Sequence, residues 1–137
     1  FRGPGVRPGR WDAPVSHLDV MPTLLDMLGL GGPAGLDGVT LRPALSGDAA
    51  PPERPVFCQY SGNPTLGDTR RAVVTRKYKY IHDPDAEPEL YDLEADPLEM
   101  TNIAQEPGCA GVLRELHDQA RAWGAGHGDW VDFGAGG

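Results

Sequence analysis

Cysteine is nearly absent from this 137-residue chain, which has only Cys58 and Cys109. Two are too few for a disulfide framework, and their spacing matches no metal motif. Basic charge is scarce as well. Twelve lysines and arginines face twenty acids, a net of −8 at pH 7, which excludes a general nucleic-acid binder, since that needs a basic face. No apolar run approaches the ~20 residues that cross a bilayer. No basic-then-apolar leader opens the chain. It opens on Phe1 rather than Met, and reads as processed or as a piece of something longer. Aromatics are 7% of the residues, so the core can only be small. The length holds one average domain at most.

Familiar catalytic patterns are missing too. There is no Gly-x-Ser-x-Gly elbow. The four histidines, His17, His82, His117 and His127, show no two-ligand zinc spacing. Asp92, Glu94 and Asp96 imitate the start of a calcium loop, but Pro97 stands where that loop needs Gly and Ile103 where it needs a bidentate Glu. A solvated turn is the better reading. Cys58 lies in an apolar run and reads as a packed thiol. Cys109 sits in the first turn of a predicted helix, with nothing near it to complete a nucleophilic site.

What the chain does have is glycine and proline, 19 and 14 residues, without a collagen period. Such a share belongs to loop-rich chains. Between the loops lie periodic segments. Leu18, Met21, Leu25 and Leu28 recur at helical spacing. Ser16 with Asp19 resembles a capping box, Pro22 is tolerable in a first turn, and Gly29 suits the residue past the helix end. This predicts a helix over about 19–28. Thr40–Leu45 reads as one helical turn, closed by Gly47. Pro55–Tyr60, Ala72–Thr75, Tyr78–His82 and Glu89–Leu93 read as strands; Tyr78, Tyr80 and His82 alternate with Lys79 and Ile81. Short connections favour an antiparallel sheet. Arg76-Lys77 is a poor pair for a two-residue hairpin turn, because neither residue favours positive φ. A last helix is expected over 107–123, with an apolar stripe of Val112, Leu113, Leu116, Ala120 and Trp123. The Gly-rich residues 124–137 read as a flexible tail.

Charge is segregated along the sequence. Arg70, Arg71, Arg76, Lys77 and Lys79 lie together, and eight acids with no base follow from Asp83 to Glu99. Two neighbouring elements of opposite sign would explain this. An anionic ligand bordering the basic edge would also explain it.

Four blocks carry a resemblance. Ser16-His17-Leu18-Asp19-Val20-Met21-Pro22-Thr23-Leu24-Leu25-Asp26 resembles the "SHxDxMPTLLD" helix start of sulfatases. Gly35-Leu36-Asp37-Gly38-Val39-Thr40-Leu41 resembles the turn that follows it. Arg71–Thr75 with Lys77–Ile81 resembles "RAVRT-x-x-YKYI", and Glu89–Leu93 with Asp96, Pro97, Glu99 and Asn102 resembles "ELYDLxxDPxExxNLA". Phe1–Val6 is similar to the strand end before these blocks.

The resemblance implies an α+β chain. Residues 1–47 would be the edge of an alkaline-phosphatase-like α/β catalytic domain, and 48–54 a linker. Residues 55–123 would form a small four-stranded antiparallel sheet with a packed C-terminal helix. It further implies a whole enzyme that hydrolyses sulfuric esters with formylglycine and calcium or another divalent ion. Formylglycine forms from the Cys or Ser of a C/S-x-P-x-R motif. Cys58 is followed by Gln59-Tyr60-Ser61 and Cys109 by Ala110-Gly111-Val112, so neither fits. No catalytic residue and no metal ligand carries over, and no cofactor is expected on this chain. The implied partners are an N-terminal catalytic domain and a sulfate-ester substrate, with no nucleic acid and no membrane span. His17 and Asp19 belong to a structural helix start.

One binding expectation comes from the residues themselves. Ser61–Arg70 is a long connection for a hairpin, and long loops on rigid scaffolds serve binding. Arg70 and Arg71 could offer guanidinium groups to an anionic ester there, or pair with the acids after Asp83. Two other readings remain open: a phosphonate or phosphodiester hydrolase of the same superfamily, and a non-catalytic binding or assembly module.

Overall fold

The computed structural model describes residues 1–62 and 69–134. The chain divides into two compact units, Phe1–Arg54 and Pro55–Gly137.

The first unit is organised around buried polar groups. Ser16 Oγ accepts from the Leu18 amide, and Asp19 Oδ2 accepts from the Ser16 amide, so the expected capping box is present. It opens a 3-10 turn, His17–Asp19, that runs into α1, Val20–Met27. Asp19 is 1% exposed, and its Oδ1 accepts from the Val39 amide at 2.9 Å and from the Arg54 guanidinium. Buried Thr23 donates its hydroxyl to the Asp19 carbonyl at 2.6 Å and accepts from the Leu41 amide at 2.8 Å. These bonds tie the loop at 38–41 to the helix. Gly38 permits the approach, since a Cβ there would lie 2.0 Å from the Leu18 carbonyl oxygen. The helix ends in a Schellman arrangement: Gly29 has φ 67°, its amide donates to the Asp26 carbonyl, and the Leu30 amide donates to Leu25. The expected single turn is α2, Arg42–Ser46, closed by Gly47 at φ 81°. Thr40 bonds the Arg42 amide from one place before the N-cap, and also donates to Asp26.

The second unit is a sheet with one covered face. Strands β1 (Val56–Ser61), β2 (Thr69–Val74), β3 (Tyr78–His82) and β4 (Glu89–Asp92) lie in that order, each antiparallel to the next. Helix α3, Ala110–Gly126, follows a 3-10 turn at Pro107–Cys109. Val73, Tyr80 and Leu90 share one sheet face and form the core with Leu116 and Ala120 of α3. The architecture is α+β, as expected. The Arg76-Lys77 turn forms without positive φ, since Glu99 alone among the described non-glycine residues has one. Thr75 makes this possible: its amide and hydroxyl donate to the Tyr78 carbonyl, and its Oγ1 accepts from the Tyr78 amide.

The acidic motif after β4 builds backbone turns. Asp92 Oδ1 accepts from the Glu94 and Ala95 amides, Asp96 Oδ2 from Met100 and Thr101, and Asn102 Oδ1 from Leu90 and Ala104. These side chains are committed to amides, in keeping with a turn rather than a calcium loop.

The chain end corrects an expectation. Helix α3 does not stop at Trp123 but continues to Gly126, and the residues after it are not a frayed tail through the described part. Val131 and Phe133 are buried in the core. Gly124, the first residue of the expected tail, sits inside the helix, where a Cβ would come within 3.0 Å of the Phe133 ring. Its lack of a side chain makes room for the returning segment.

Candidate functional site

Strand alternation decides which of the two expected arginines can meet a ligand. In β2, Arg70 pairs with Tyr60 and Arg71 with Gln59, and successive strand residues point to opposite faces. Arg71 goes inward. Its side chain is 4% exposed and that of Asp129 is 2% exposed. Arg71 Nε donates to Asp129 Oδ2 at 2.5 Å and Nη2 to Oδ1 at 2.9 Å, a two-pronged fork. Nη1 donates to the carbonyls of Tyr60 at 2.8 Å and Arg70 at 2.9 Å. Gln59 Nε2 donates to Asp129 Oδ2 at 3.2 Å, and the Trp130 ring lies over the guanidinium at 5.8 Å. The Arg71 guanidinium holds the Asp129 carboxyl down to about 2. Arg71 is therefore committed inside the fold and does not stand beside Arg70 as an anion ligand, because adjacent strand residues cannot share a face.

Arg70 goes outward, on the face away from α3, next to exposed Tyr60. Its Nε donates to Asp83 Oδ2 at 3.2 Å. The Asp85 amide and, after it, this guanidinium hold the Asp83 carboxyl below the usual carboxylate range. Of the connection that carries Arg70, residues 63–68 lie outside the described residues; Ser61 ends β1 and Thr69 begins β2. Lys77 stands 3.7 Å from Asp92, and Lys79 donates to Glu99 at 2.5 Å. The segregated charges thus sit side by side as ion pairs.

A second polar group lies at the end of the sheet. The Tyr80 hydroxyl is 2.9 Å from His117 Nδ1, and His82 Nε2 is 2.9 Å from the Asp132 carbonyl. His82 stacks on Phe133 at 4.7 Å, and both rings meet the His117 ring edge-on. Burial pushes the Tyr80 phenol up to about 12. Burial, then the neighbouring His82, pushes His117 down. His117 Nε2 is buried and bonds no described residue. The adjoining cavity of about 350 Å³ is lined by Asp83, Glu87, Arg114 and His117 among others, with no Ser, Thr or Cys in its wall. It therefore presents no hydroxyl of Ser or Thr and no thiol to a histidine base.

Cys58 is exposed, not packed as expected. It lies on edge strand β1, on the face away from α3, whereas its neighbour Phe57 takes the covered side and stacks on Trp123 at 5.1 Å. Among the described residues no group of three or more His, Cys, Asp and Glu could hold a metal ion. The described residues therefore offer no cluster that fits a divalent ion, and the sequence has no C/S-x-P-x-R motif to become formylglycine. No described helix is long and apolar enough to cross a membrane.

Sequence reasoning missed Asp129 and Trp130, which lay in the supposed tail. The signal was the alternation of Val131 and Phe133 around Asp132, a half-buried extended pattern.

Residues 5–124 match the family described as N-sulphoglucosamine sulphohydrolase, C-terminal. A choline-sulfatase from Rhizobium meliloti is 39% identical over 111 residues, 77% of this chain and 20% of that protein. A Delta 4,5-hexuronate-2-O-sulfatase from Bacteroides thetaiotaomicron is 33% identical over 124 residues, 84% of this chain and 25% of that protein. The solved structure of a 2-O GAG sulfatase superposes with a TM-score of 0.77 at 29% identity, covering 93% of this chain and 29% of that one. The chain thus spans a fifth to a quarter of the length of these curated relatives. These matches support the sulfatase reading better than a phosphonate or phosphodiester hydrolase or a non-catalytic module. Sequence blocks, sheet and helix agree, and the chain belongs to the sulfatase family, as its C-terminal part.

Proposed function

We propose that this chain serves a sulfatase that hydrolyses sulfuric esters, and that it contributes structure and a substrate-facing edge while the reacting groups come from an N-terminal catalytic domain. The family implies a metal ion and formylglycine in the whole enzyme; the described residues hold no metal-binding cluster, and the sequence has no formylglycine motif. In this reading residues 1–47 complete the edge of the catalytic domain, 48–54 link, and the C-terminal subdomain begins at 55 and takes in Val131 and Phe133. The observation that carries the reading is the family match over residues 5–124. The exposure of Leu18, Met21, Leu24 and Leu28 along α1 agrees with it, since such a stripe is buried in a complete domain. Arg70 is the residue of this chain that meets the anionic ester: it is exposed, faces away from the core, and carries a guanidinium suited to sulfate oxygens.

The test uses 4-nitrophenyl sulfate with added calcium. The isolated chain gives no turnover, and turnover that a mutation in this chain removes would overturn the proposal. In the intact enzyme, Arg70→Ala raises KM with kcat unchanged, as for lost uniform binding. No change in either would remove Arg70 from the substrate site and leave the family assignment standing.

A further inference from the structure

We infer that Asp129 is a positioning residue for Arg70: it anchors the Arg71 guanidinium that grips the backbone of both strands at the point where Arg70 is presented. This rests on the reading of Arg70 as a substrate contact. The geometry has three parts. Arg71 Nη1 bridges two carbonyls on different strands, Tyr60 of β1 and Arg70 of β2. Those two residues are cross-strand partners one pair from Ser61 and Thr69, where β1 ends and β2 begins, so one guanidinium fixes both stems. The guanidinium is in turn oriented by both oxygens of Asp129, and a fork of this kind sets the plane of the group. Gln59 adds a second tie from β1 to the same carboxylate.

The arrangement is more specific than a core needs. A buried ion pair stabilises little compared with apolar packing, and the next inward residue of β2, Val73, packs with Leu90 in the apolar core. At the end next to Arg70 the fold instead spends a buried arginine and a buried aspartate, whose remaining donors point to backbone. What such a pair adds over a leucine is direction. With the Arg70 carbonyl and the strand pairing fixed, the Arg70 side chain leaves the sheet from a defined point, 3.2 Å from Asp83, and pays less ordering entropy on meeting an anion.

The experiment is a double-mutant cycle in the intact enzyme, measuring kcat and KM on 4-nitrophenyl sulfate for R70A, D129N and R70A/D129N, with a thermal melt of each. The expected result is that D129N raises KM about three- to tenfold, leaves kcat within about twofold, and has no further effect once Arg70 is gone. A purely structural Asp129 would lower the melting temperature equally in both backgrounds and would not split KM from kcat in this way. If R70A raises KM and D129N does not, positioning by Asp129 is wrong and the Arg70 reading stands. If R70A leaves KM unchanged, the Arg70 reading fails and the inference fails with it. Should D129N yield no folded protein, D129E, which keeps the charge, carries the same comparison by the same criteria.

Discussion

The two units of this chain are built on opposite plans. In residues 1–54 the most buried side chains on α1 and its capping turn are polar, Asp19 and Thr23, while Leu18, Leu24 and Leu28 are exposed. In residues 55–134 the most buried side chains are Val73, Tyr80 and Leu90, closed over by α3 and by the returning segment with Val131 and Phe133. Both contain a periodic amphipathic helix. The difference is whether a partner surface lies within the same unit. Hydrogen bonding can hold the local shape of a short segment, but burial of apolar surface supplies most of the stability. The second unit should therefore behave as a cooperative body, and the first as a shaped surface with weak stability of its own.

The largest test of that contrast is Leu90→Ala. It removes a fully buried side chain from the second unit and should cost about 2–5 kcal/mol, seen as a lowered midpoint in urea. Leu24→Ala, its counterpart in the first unit, should leave the midpoint nearly unchanged. A comparable loss at both sites would refute the two plans.

Asp19→Asn ranks next. It weakens acceptors that hold the Ser16 and Val39 amides and the Arg54 guanidinium, at a cost of about 1–3 kcal/mol. The effect should appear as faster amide exchange at Val39 and Leu41, with the sheet amides of the second unit unaffected.

Acid should act on the second unit in two steps. His117 titrates below its ordinary 6.5 in the fold because of burial, so the unfolded chain takes up that proton first. Stability is full above 6.5 and falls as pH drops through the folded value. Asp129 is held near 2 against an ordinary 3.8 by Arg71, so its contribution persists down to about 3.8 and is lost between there and 2. Urea midpoints measured from pH 7.5 to 3 should decline first below 6.5 and again below 4, and His117→Gln should erase the upper decline alone.

The smallest effect on stability belongs to Leu24→Lys on α1. An exposed substitution of this kind changes stability by under about 0.5 kcal/mol, but it breaks the apolar stripe. Light scattering of the concentrated chain should fall, while a chain whose α1 stripe is already covered would show no change.

Local signals carried much of this architecture. The Ser16–Asp19 capping box, the left-handed Gly29, the alternation of Tyr78, Tyr80 and His82, and the Gly47 stop all act within a few residues, where the chemistry of caps and turns operates. The missed features are long-range. Asp129 meets Arg71 across 58 positions, and nothing near either residue announces the other. Arg71 was expected to share a site with Arg70 because β2 was expected to begin at Ala72; it begins at Thr69, and alternation then separates the pair. Cys58 was misplaced for a related reason: an apolar run says nothing about which face of an edge strand is covered.

The distance between Arg71 and Asp129 also matters for the order of synthesis. A ribosome delivers β2 long before residue 129, and domains settle as their last element arrives. Until then Arg71 has no buried counter-charge, and the covered face of the sheet cannot close over it without a large penalty. The segment from Asp129 to Phe133 thus closes this end of the sheet. A chain cut short before Asp129 keeps this sheet end open and hydrated.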